Sequence, residues 1–358
     1  MERTYEYLER LKKYIISYDK PAQIMEVCGT HTFQFFATGI RDMLPPHIKL
    51  LSGPGCPVCV TPTSYIDRVI KMLEKYPDII ITTFGDMLKV PGTNRKSLVH
   101  MKSEGKDIRV VYAPEDAVKI AEEEKRPVVF LSVGFETTIA PIAAALDLAE
   151  QASIDKFYLL LSHKLIIPAL KALLSDPEAE IDGFILPGHV SAIIGKRPYE
   201  PVLRKYGKPG VITGFEGHHL IIGTATLLKL IKEGKSEVIN AYPEVVRDKG
   251  NRQALSLINK YFIPTDEEWR GFGLIPQSGH ALREEYRHRD AKRAFPVEVP
   301  ESQDPPGCLC PEVVKGKKRP PECPHFGKGC TPLHPLGPCM VSSEGACAAY
   351  YKYRREDI

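Results

Sequence analysis

The 358-residue sequence lacks several features that would assign it to a common class of protein. It has no apolar run of the ~20 residues that a transmembrane helix needs, so we expect no membrane span. It also has neither the G-x4-G-K-[ST] phosphate loop nor the G-x-G-x-x-G dinucleotide fingerprint. Its 48 Lys and Arg nearly balance its 45 Asp and Glu, which gives no electrostatic argument for binding to nucleic acid.

The first 20 residues predict an amphipathic helix with charges of both signs. They lack the apolar core and the cleavage site of a signal peptide, so we expect a cytoplasmic protein. In a reducing compartment, clustered cysteines bind metals or perform redox chemistry more often than they form structural disulfides. The chain has nine cysteines, and an odd number cannot be completely paired.

Much of the chain alternates short apolar runs with helical patterns. The runs are continuously apolar, as expected for strands of a parallel sheet that is covered on both faces. We predict strands at residues 24–27, 79–83, 108–112, 128–133, 157–161, 183–186 and 210–213, and helices at residues 115–124, 139–151, 165–175 and 220–233. This pattern predicts an α/β fold with two parallel-sheet lobes, in residues 1–125 and 126–255, and a small C-terminal domain in residues 256–358.

Polar motifs directly follow several predicted strands, where ligands bind in open α/β sheets. They include Gly134-Phe-Glu136-Thr-Thr138 and Pro187-Gly-His189. Glu136 is either a hydrogen-bond acceptor in a site or an acid that stabilises a helix N-terminus. His189 is either a ligand or a turn residue with satisfied hydrogen bonds.

Sulfur is concentrated near the C-terminus. Six cysteines fall in the last 51 residues: Cys308, Cys310, Cys323, Cys330, Cys339 and Cys347. Proline is abundant in the same stretch and large apolar residues are few, which favours a domain stabilised by metal. The spacing of the last four cysteines favours a [4Fe–4S] cluster, while a zinc site and unliganded redox thiols stay open. Cys308 and Cys310 are not needed for a site with four ligands. They are either a redox pair or substitute ligands.

Two more cysteine motifs lie near the N-terminus. Cys56-Pro-Val-Cys59 has the spacing of redox dithiols and of half a zinc site, and a buried inert pair is the third reading. We predict that a helix begins directly after it, with Thr61 as N-cap and Pro62 as its first residue. The motif Cys28-Gly-Thr-His31 has three interpretations. It is a nucleophile–base pair, a pair of metal ligands, or a buried cysteine beside a hydrogen-bonded histidine.

Together these motifs resemble the HypD family of [NiFe]-hydrogenase maturation factors. The resemblance covers essentially the whole chain. The matching motifs are Cys28-Gly-Thr-His-Thr, Gly53-Pro-Gly-Cys-Pro-Val-Cys59, Gly134-Phe-Glu-Thr-Thr, Pro187-Gly-His-Val-Ser191 and the block from Glu322 to Tyr351.

The resemblance implies a scaffold that works with the small chaperone HypC. On it an iron ion acquires two cyanides and one carbon monoxide before the Fe(CN)2CO unit passes to the hydrogenase large subunit. HypE, supplied by HypF, would deliver the cyanide. Cys28 would bind the iron, sharing it with a cysteine of HypC, with His31 beside it as a ligand or proton donor.

The resemblance also implies an iron–sulfur domain at the C-terminus, with Cys323, Cys330, Cys339 and Cys347 as our choice of cluster ligands. Cys56 and Cys59 would be a redox-active pair that passes electrons from the cluster to the iron. Such a protein is a redox-competent assembly scaffold rather than a conventional turnover enzyme. The alternatives are an iron–sulfur disulfide oxidoreductase and a zinc-stapled α/β binding protein.

Overall fold

The computed structural model describes residues 2–299 and 301–353 of the chain. Residue 1 of the first predicted domain and residues 300 and 354–358 of the C-terminal predicted domain therefore lie outside the described residues. The strands are β1 Ala22–Glu26, β2 Ile48–Ser52, β3 Ile80–Thr83, β4 Ile108–Val110, β5 Val128–Gly134, β6 Phe157–His163, β7 Gly183–Pro187, β8 Gly210–Thr213, β9 Val238–Asn240, β10 Phe262–Trp269 and β11 Gly273–Leu282.

Helices connect most of these strands. The α-helices are α1 Glu2–Ile16, α2 Gly29–Ala37, α3 Ile40–Met43, α4 Pro57–Val60, α5 Thr63–Lys75, α6 Leu98–Ser103, α7 Pro114–Glu124, α8 Glu136–Gln151, α9 Ile166–Leu174, α10 Gly188–Ile194, α11 Tyr199–Lys205, α12 Gly217–Glu233, α13 Arg252–Tyr261, α14 Ala291–Ala294, α15 Cys310–Val313, α16 Pro338–Val341 and α17 Ala346–Tyr353. Short 3-10 turns lie at Gly85–Lys89, Thr93–Arg95, Glu284–Arg289 and Pro320–Glu322. No helix within residues 2–299 and 301–353 combines the length and apolar composition needed to cross a bilayer.

Two parallel sheets form the body of the molecule. The first has strand order β2-β1-β7-β8-β9 and the second β4-β3-β5-β6, and the neighbouring strands in both sheets run parallel. Every residue of β3, β5, β7 and β8 is buried, because helices cover both faces of the sheets at these strands. These features confirm the predicted α/β class with two parallel-sheet lobes.

The segments that form the two sheets do not follow the predicted boundary between residues 125 and 126. The first sheet takes strands from residues 22–52 and 183–240, and the second from residues 80–163. A division between residues 125 and 126 would separate β3 from its neighbour β5. The sequence pattern identifies strands but not the sheet that each joins, since central strands of both sheets are equally apolar.

The segment after Cys59 also differs from the prediction. Cys56 is the N-cap of the short helix α4, where its sulfur accepts a hydrogen bond from the Cys59 N–H. Pro62, rather than Thr61, is the N-cap of the longer helix α5, and the Thr61 hydroxyl instead donates to the Pro57 carbonyl at 2.8 Å. Pro57 begins a separate helical turn within the cysteine motif, and the predicted helix follows it as α5, which begins at Thr63. The apolar residues of α5, such as Ile66, Val69 and Leu73, are buried.

An antiparallel hairpin of β10 and β11, which the sequence reading did not predict, packs against the end of the second sheet. A buried ion pair fixes it there. Lys164, fully buried after β6, donates to a Glu267 carboxylate oxygen at 2.7 Å and to the Glu268 carbonyl at 2.8 Å. Burial lowers the pKa of Lys164 to about 8, and the nearby Glu267 opposes that shift.

The cysteine-rich segment returns to the N-terminal part of the fold. Its last helix α17 packs against α2. The rings of Phe36 and Tyr350 are in contact, with their centroids 4.8 Å apart, and the Arg41 guanidinium lies over both rings. One continuous apolar cluster includes residues from both sheets, such as Met25 and Val129, together with Cys339. The segment is therefore part of the common core.

Candidate functional site

A cavity of about 150 Å³ lies where the carboxyl ends of strands from both sheets meet. Residues that follow β1, β2 and β7 of the first sheet and β5 of the second form its walls. This is the position at which open α/β sheets bind ligands. The lining residues include Cys28, Gly55, Pro57, Phe135, Thr137, Thr138, His189 and Glu344.

Cys28 occupies the turn between β1 and α2. It is the N-cap of α2, in an extended conformation, and its side chain caps no backbone N–H. The side chain is a free thiol with 9% exposure. Burial, with a smaller contribution from the Glu344 carboxylate, raises the pKa of the Cys28 thiol to about 11. The thiol is therefore protonated at neutral pH.

The loop before Cys56 packs directly on the loop that carries Cys28. The Gly29 N–H donates to the Gly55 carbonyl at 3.2 Å, and the Gly53 N–H donates to the Glu26 carbonyl at 2.8 Å. A Cβ atom at Gly55 would collide with the backbone nitrogen of Cys28. Close backbone approach is a standard reason for glycine, and here it brings two cysteine motifs to one cavity.

Cys56 and Cys59 are joined as a disulfide across the first turn of α4, with their Cα atoms 5.2 Å apart. Both side chains are buried. Pro57, between them, lines the cavity. The structure thus describes the predicted redox pair in its oxidised form.

His31 lies beneath the cavity and is not one of its lining residues. It is fully buried, and its Nε2 donates to the Gly214 carbonyl at 3.1 Å. Its Nδ1 has no hydrogen-bond partner among the described residues. Burial lowers the pKa of His31 to about 4, so the ring is neutral at physiological pH.

One aromatic ring connects the two histidines. Phe215 stacks on His31 with ring centroids 4.6 Å apart, and on His189 with centroids 3.9 Å apart. His189 is exposed and lines the cavity. The segments that contain His31, His189 and Phe215 therefore meet around this ring.

Glu136 is close to the cavity but does not line it. It opens α8, and its Oε1 accepts a hydrogen bond from the Ile166 N–H at 3.0 Å. Burial raises the pKa of Glu136 to about 7. Its neighbours Phe135 and Thr137 face the cavity, so Glu136 holds the start of α9 against the strand end that carries them.

Glu344 is the wall residue that sequence reasoning missed. Its Oε1 accepts a hydrogen bond from the Thr30 hydroxyl at 2.6 Å. A Cβ atom at Gly29 would lie 2.5 Å from the Glu344 carbonyl oxygen. Glu344 belongs to the same block as the C-terminal cysteines, but a single carboxylate after two serines has no spacing that distinguishes it.

The six C-terminal cysteines are free, and their thiols influence one another. Cys310 and Cys339 have their sulfur atoms 2.8 Å apart. Burial raises the pKa of the Cys330 thiol, with smaller contributions from Cys347 and Cys323. Burial also raises the pKa of Cys308, which interacts with the thiols of Cys310, Cys347 and Cys323.

The structure therefore brings all six together and does not separate four of them from the other two. As they stand, no three His, Cys, Asp or Glu side chains of residues 2–299 and 301–353 are grouped to hold a single metal ion. The helix α16, which carries Cys339, packs on α4, which carries Cys59. The cysteine-rich segment thus adjoins the disulfide.

Comparison with known proteins agrees with this arrangement of motifs. The family model described as "HypD: Hydrogenase formation hypA family" matches residues 2–354. The chain is 41% identical over 341 residues to the hydrogenase maturation factor HypD of Azotobacter vinelandii, covering 93% of this chain and 90% of that protein. It is 41% identical over 351 residues to HypD of Escherichia coli (strain K12), with 98% and 94% covered.

An archaeal relative is equally similar. A putative hydrogenase expression/formation protein of Methanocaldococcus jannaschii is 40% identical over 349 residues, with 97% of this chain and 96% of that protein covered. These matches confirm the resemblance carried by the cysteine, glycine and histidine motifs. The chain belongs to the HypD family of hydrogenase formation proteins.

Proposed function

We propose that this protein acts in hydrogenase maturation as the scaffold on which, together with HypC, the Fe(CN)2CO unit is built. The observation that carries the proposal is the meeting of Cys28, the Cys56–Cys59 disulfide loop and the cysteine-rich segment around one cavity. Family membership supports the maturation role, since relatives are named hydrogenase maturation factors. We place the protein in the cytoplasm, with HypE and HypF as the source of cyanide and the hydrogenase large subunit as the acceptor.

Cys28 is the proposed ligand for the iron that is being assembled. A buried thiolate without a nearby cation is unfavourable, as the raised pKa of Cys28 indicates. Binding of a ferrous ion would replace the thiol proton and neutralise the sulfur. The Thr30–Glu344 pair beside it supplies an acceptor for that proton. The cavity of about 150 Å³ beside Cys28 is where the small diatomic ligands would lie.

His31 supports this site in its neutral form. Because burial holds its pKa at about 4, it is a poor proton donor at pH 7. Its buried Nδ1 has no hydrogen-bond partner among the described residues, so its lone pair is available to accept a hydrogen bond. We therefore propose that His31 acts as an acceptor next to the Cys28 turn.

The Cys56–Cys59 pair is the proposed source of electrons for cyanide transfer. Cleaving the S–C bond of a thiocyanate donor to give a thiol and hydrogen cyanide consumes two electrons and two protons. Oxidation of two thiols to one disulfide releases the same number of each. Each cyanide delivered would thus convert the dithiol to the disulfide, and a dithiol reductant would restore it.

The C-terminal thiols fit an iron–sulfur cluster, because the donor set is entirely cysteine and the thiols lie close enough to perturb one another. Cys323, Cys330, Cys339 and Cys347 remain our proposed ligands, with Cys308 and Cys310 as accessory thiols. A bound cluster would supply electrons one at a time.

Infrared spectroscopy of the protein co-expressed anaerobically with HypC, HypE and HypF tests the proposal. The wild-type complex should show cyanide and carbonyl stretches from iron. Cys28→Ser, which keeps the size of the side chain but offers a harder ligand, should lose both sets of bands. The double variant Cys56→Ala/Cys59→Ala should retain iron and lose the cyanide bands.

Two results would contradict the proposal. Full cyanide bands in the Cys56→Ala/Cys59→Ala variant would exclude the dithiol as the electron source. Undiminished bands in Cys28→Ser would exclude Cys28 as the iron ligand. A protein that reduces a disulfide substrate while showing no iron-bound diatomic ligands would instead be an iron–sulfur disulfide oxidoreductase.

A further inference from the structure

A second, larger cavity of about 950 Å³ lies at the other end of helix α10 from the Cys28 cavity. His189, in the first turn of α10, lines the Cys28 cavity. Ala192 and Ile193, in its last turn, line the larger one. At 1.5 Å per residue this helix is about 10 Å long. A ligand in the larger cavity is therefore close to the Cys28 cavity.

The larger cavity is strongly basic, and we call it the basic cleft. Its lining contains four exposed cations, Arg197, Arg247, Lys249 and Arg252, and one acid, Asp248. The whole chain has 48 Lys and Arg against 45 Asp and Glu. The cleft therefore holds an excess of positive charge as large as that of the entire sequence.

These four cations differ from those of the other basic cavity on the molecule. There, beside β2, Lys317 pairs with Asp176 and Glu178, and Lys318 and Arg319 both pair with Glu322. In the basic cleft, by contrast, none of the four cations forms an ion pair with any described side chain. Their charge is thus available to an external anion.

The backbone beneath the cations is fixed by direct contact between two loops. The Asn251 N–H donates to the Ile193 carbonyl at 2.9 Å, and the Arg197 N–H donates to the Asp248 carbonyl at 3.2 Å. Gly195 and Gly250 both have positive φ, at +78° and +65°, and a Cβ at either would collide with the backbone of the opposite loop. The cleft is therefore preorganised, which lowers the entropy cost of binding.

We propose that the basic cleft is a docking site for an acidic segment of a partner protein. Carboxylates of that segment would pair with the four cations. An apolar side chain of the same segment would cover Ile193 and Val245, which is 45% exposed. The lining contains no aromatic ring among its described residues, so it offers no platform for stacked bases. This favours a peptide over a single-stranded nucleic acid.

The position of the cleft gives the docking a purpose that goes beyond the proposed function. A protein held by its acidic segment at the C-terminal end of α10 has its adjoining residues next to His189 and the mouth of the Cys28 cavity. The attraction would raise the local concentration of that partner and speed its arrival. Docking itself needs neither iron nor a reduced disulfide, so it is measured separately from metal assembly.

Fluorescence anisotropy with the full-length protein tests the docking. The probe is a fluorescein-labelled twelve-residue peptide of Glu and Asp that contains two Leu. We expect Arg197→Glu/Arg252→Glu to weaken peptide binding by about tenfold or more, since each close charge pair is reversed. Lys13→Glu/Lys102→Glu changes the net charge equally at two exposed lysines outside the cleft, and should leave the dissociation constant within about twofold.

Several outcomes would overturn the proposal. Equal weakening in both double variants would indicate only a long-range field, and absence of peptide binding to the wild type would exclude the site. Tighter, cleft-dependent binding of single-stranded DNA or inorganic triphosphate would assign the cleft to a different ligand. Cys28→Ser should bind the peptide as the wild type does, so a failure of the proposed iron site leaves this result unaffected. Thermal unfolding of each variant verifies that the fold is retained.

Discussion

The hydroxyl of Thr30 donates a hydrogen bond to the carboxylate of Glu344 across a sequence separation of 314 residues. The contact ties the turn that carries Cys28 to the cysteine-rich segment. It also places a negative charge beside the Cys28 thiol, where it adds to the effect of burial on the thiol pKa. The reactivity of one cysteine thus depends on a segment near the other end of the sequence.

Replacing Glu344 by Gln should lower the pKa of Cys28 from about 11. Burial, the larger cause, remains, so the pKa should stay above the ordinary thiol value. Because only the thiolate is alkylated, Cys28 should react faster with iodoacetamide at pH 8 to 9 in the variant. The pH profile of Cys28 alkylation, read by peptide mass spectrometry, measures the effect. Glu312→Gln, which removes a carboxylate that pairs with Lys315, is the matched control, and equal rates in all three proteins would contradict the expectation.

Gly55→Ala should destabilise the protein and block the Cys28 cavity. The added methyl group would collide with the Cys28 backbone, so one of the two loops must move. Overpacking of this kind typically costs about 1–3 kcal/mol. Guanidinium unfolding followed by fluorescence of Trp269, the single tryptophan, measures the cost.

Gly217→Ala is the control for that substitution. Gly217 lies in the first turn of α12, and its new Cβ would approach Thr38 no closer than 3.7 Å. Since alanine favours the helix by up to about 1 kcal/mol, the control should be neutral or slightly stabilised. Similar unfolding free energies for the two variants would show that the contact between the Gly55 and Cys28 loops is not tight.

Glu26 should make stability fall as pH rises from about 4.5 to 7. It is fully buried, and Thr32 and Ser52 donate to its Oε1 at 2.8 Å each. Burial raises its pKa to about 7 from 4.5. The folded protein therefore binds this proton more tightly than the unfolded chain. The stability that Glu26 contributes is complete below pH 4.5, falls as pH rises from 4.5 to 7, and does not change further above pH 7.

Comparing the pH dependence of stability in the wild type and in Glu26→Gln separates the effect of Glu26 from that of the buried histidines. His31, with its pKa lowered to about 4, makes stability rise between pH 4 and 6.5 in both proteins, because the unfolded chain binds that proton more tightly. The unfolding free energy of the wild type relative to the variant should fall by about 3 kcal/mol between pH 4.5 and 7.5. A pH-independent difference would show that Glu26 is charged or solvated in the folded protein. Glu136→Gln should behave in the same way, since burial raises the pKa of Glu136 similarly.

Local sequence patterns were sufficient to predict the regular core of the fold. The strand at Gly210–Thr213 has both predicted limits, and the helix Gly217–Glu233 ends where predicted but begins three residues earlier. A glycine follows each of these two C-terminal ends. The edge strand Ile48–Ser52 was missed, since its five residues include an exposed lysine and resemble a loop. The hairpin at residues 262–282 was missed because exposed and buried residues do not alternate regularly along its strands and a bulge interrupts their pairing.

The residues of the site could be predicted where a short sequence motif contains them. Cysteine spacing identified Cys28, Cys56 and Cys59, and the structure places these motifs around one cavity. Glu344 and the stacked Phe215 were missed, because their roles arise from contacts between distant segments. Burial, which raises the pKa of Cys28 and lowers the pKa of His31, is likewise invisible in a motif.

The interleaved sheets have a consequence for synthesis of the chain. The second sheet is contained in residues 80–163 and can assemble while the first still lacks β7, β8 and β9. During translation, Cys28 emerges early but its cavity stays open until Pro187 and finally Glu344 leave the ribosome. A nascent or truncated chain therefore exposes this thiol to solvent and to oxidants. The surroundings of Cys28 are therefore complete only after Glu344, the last-made residue of the cavity wall, has been added.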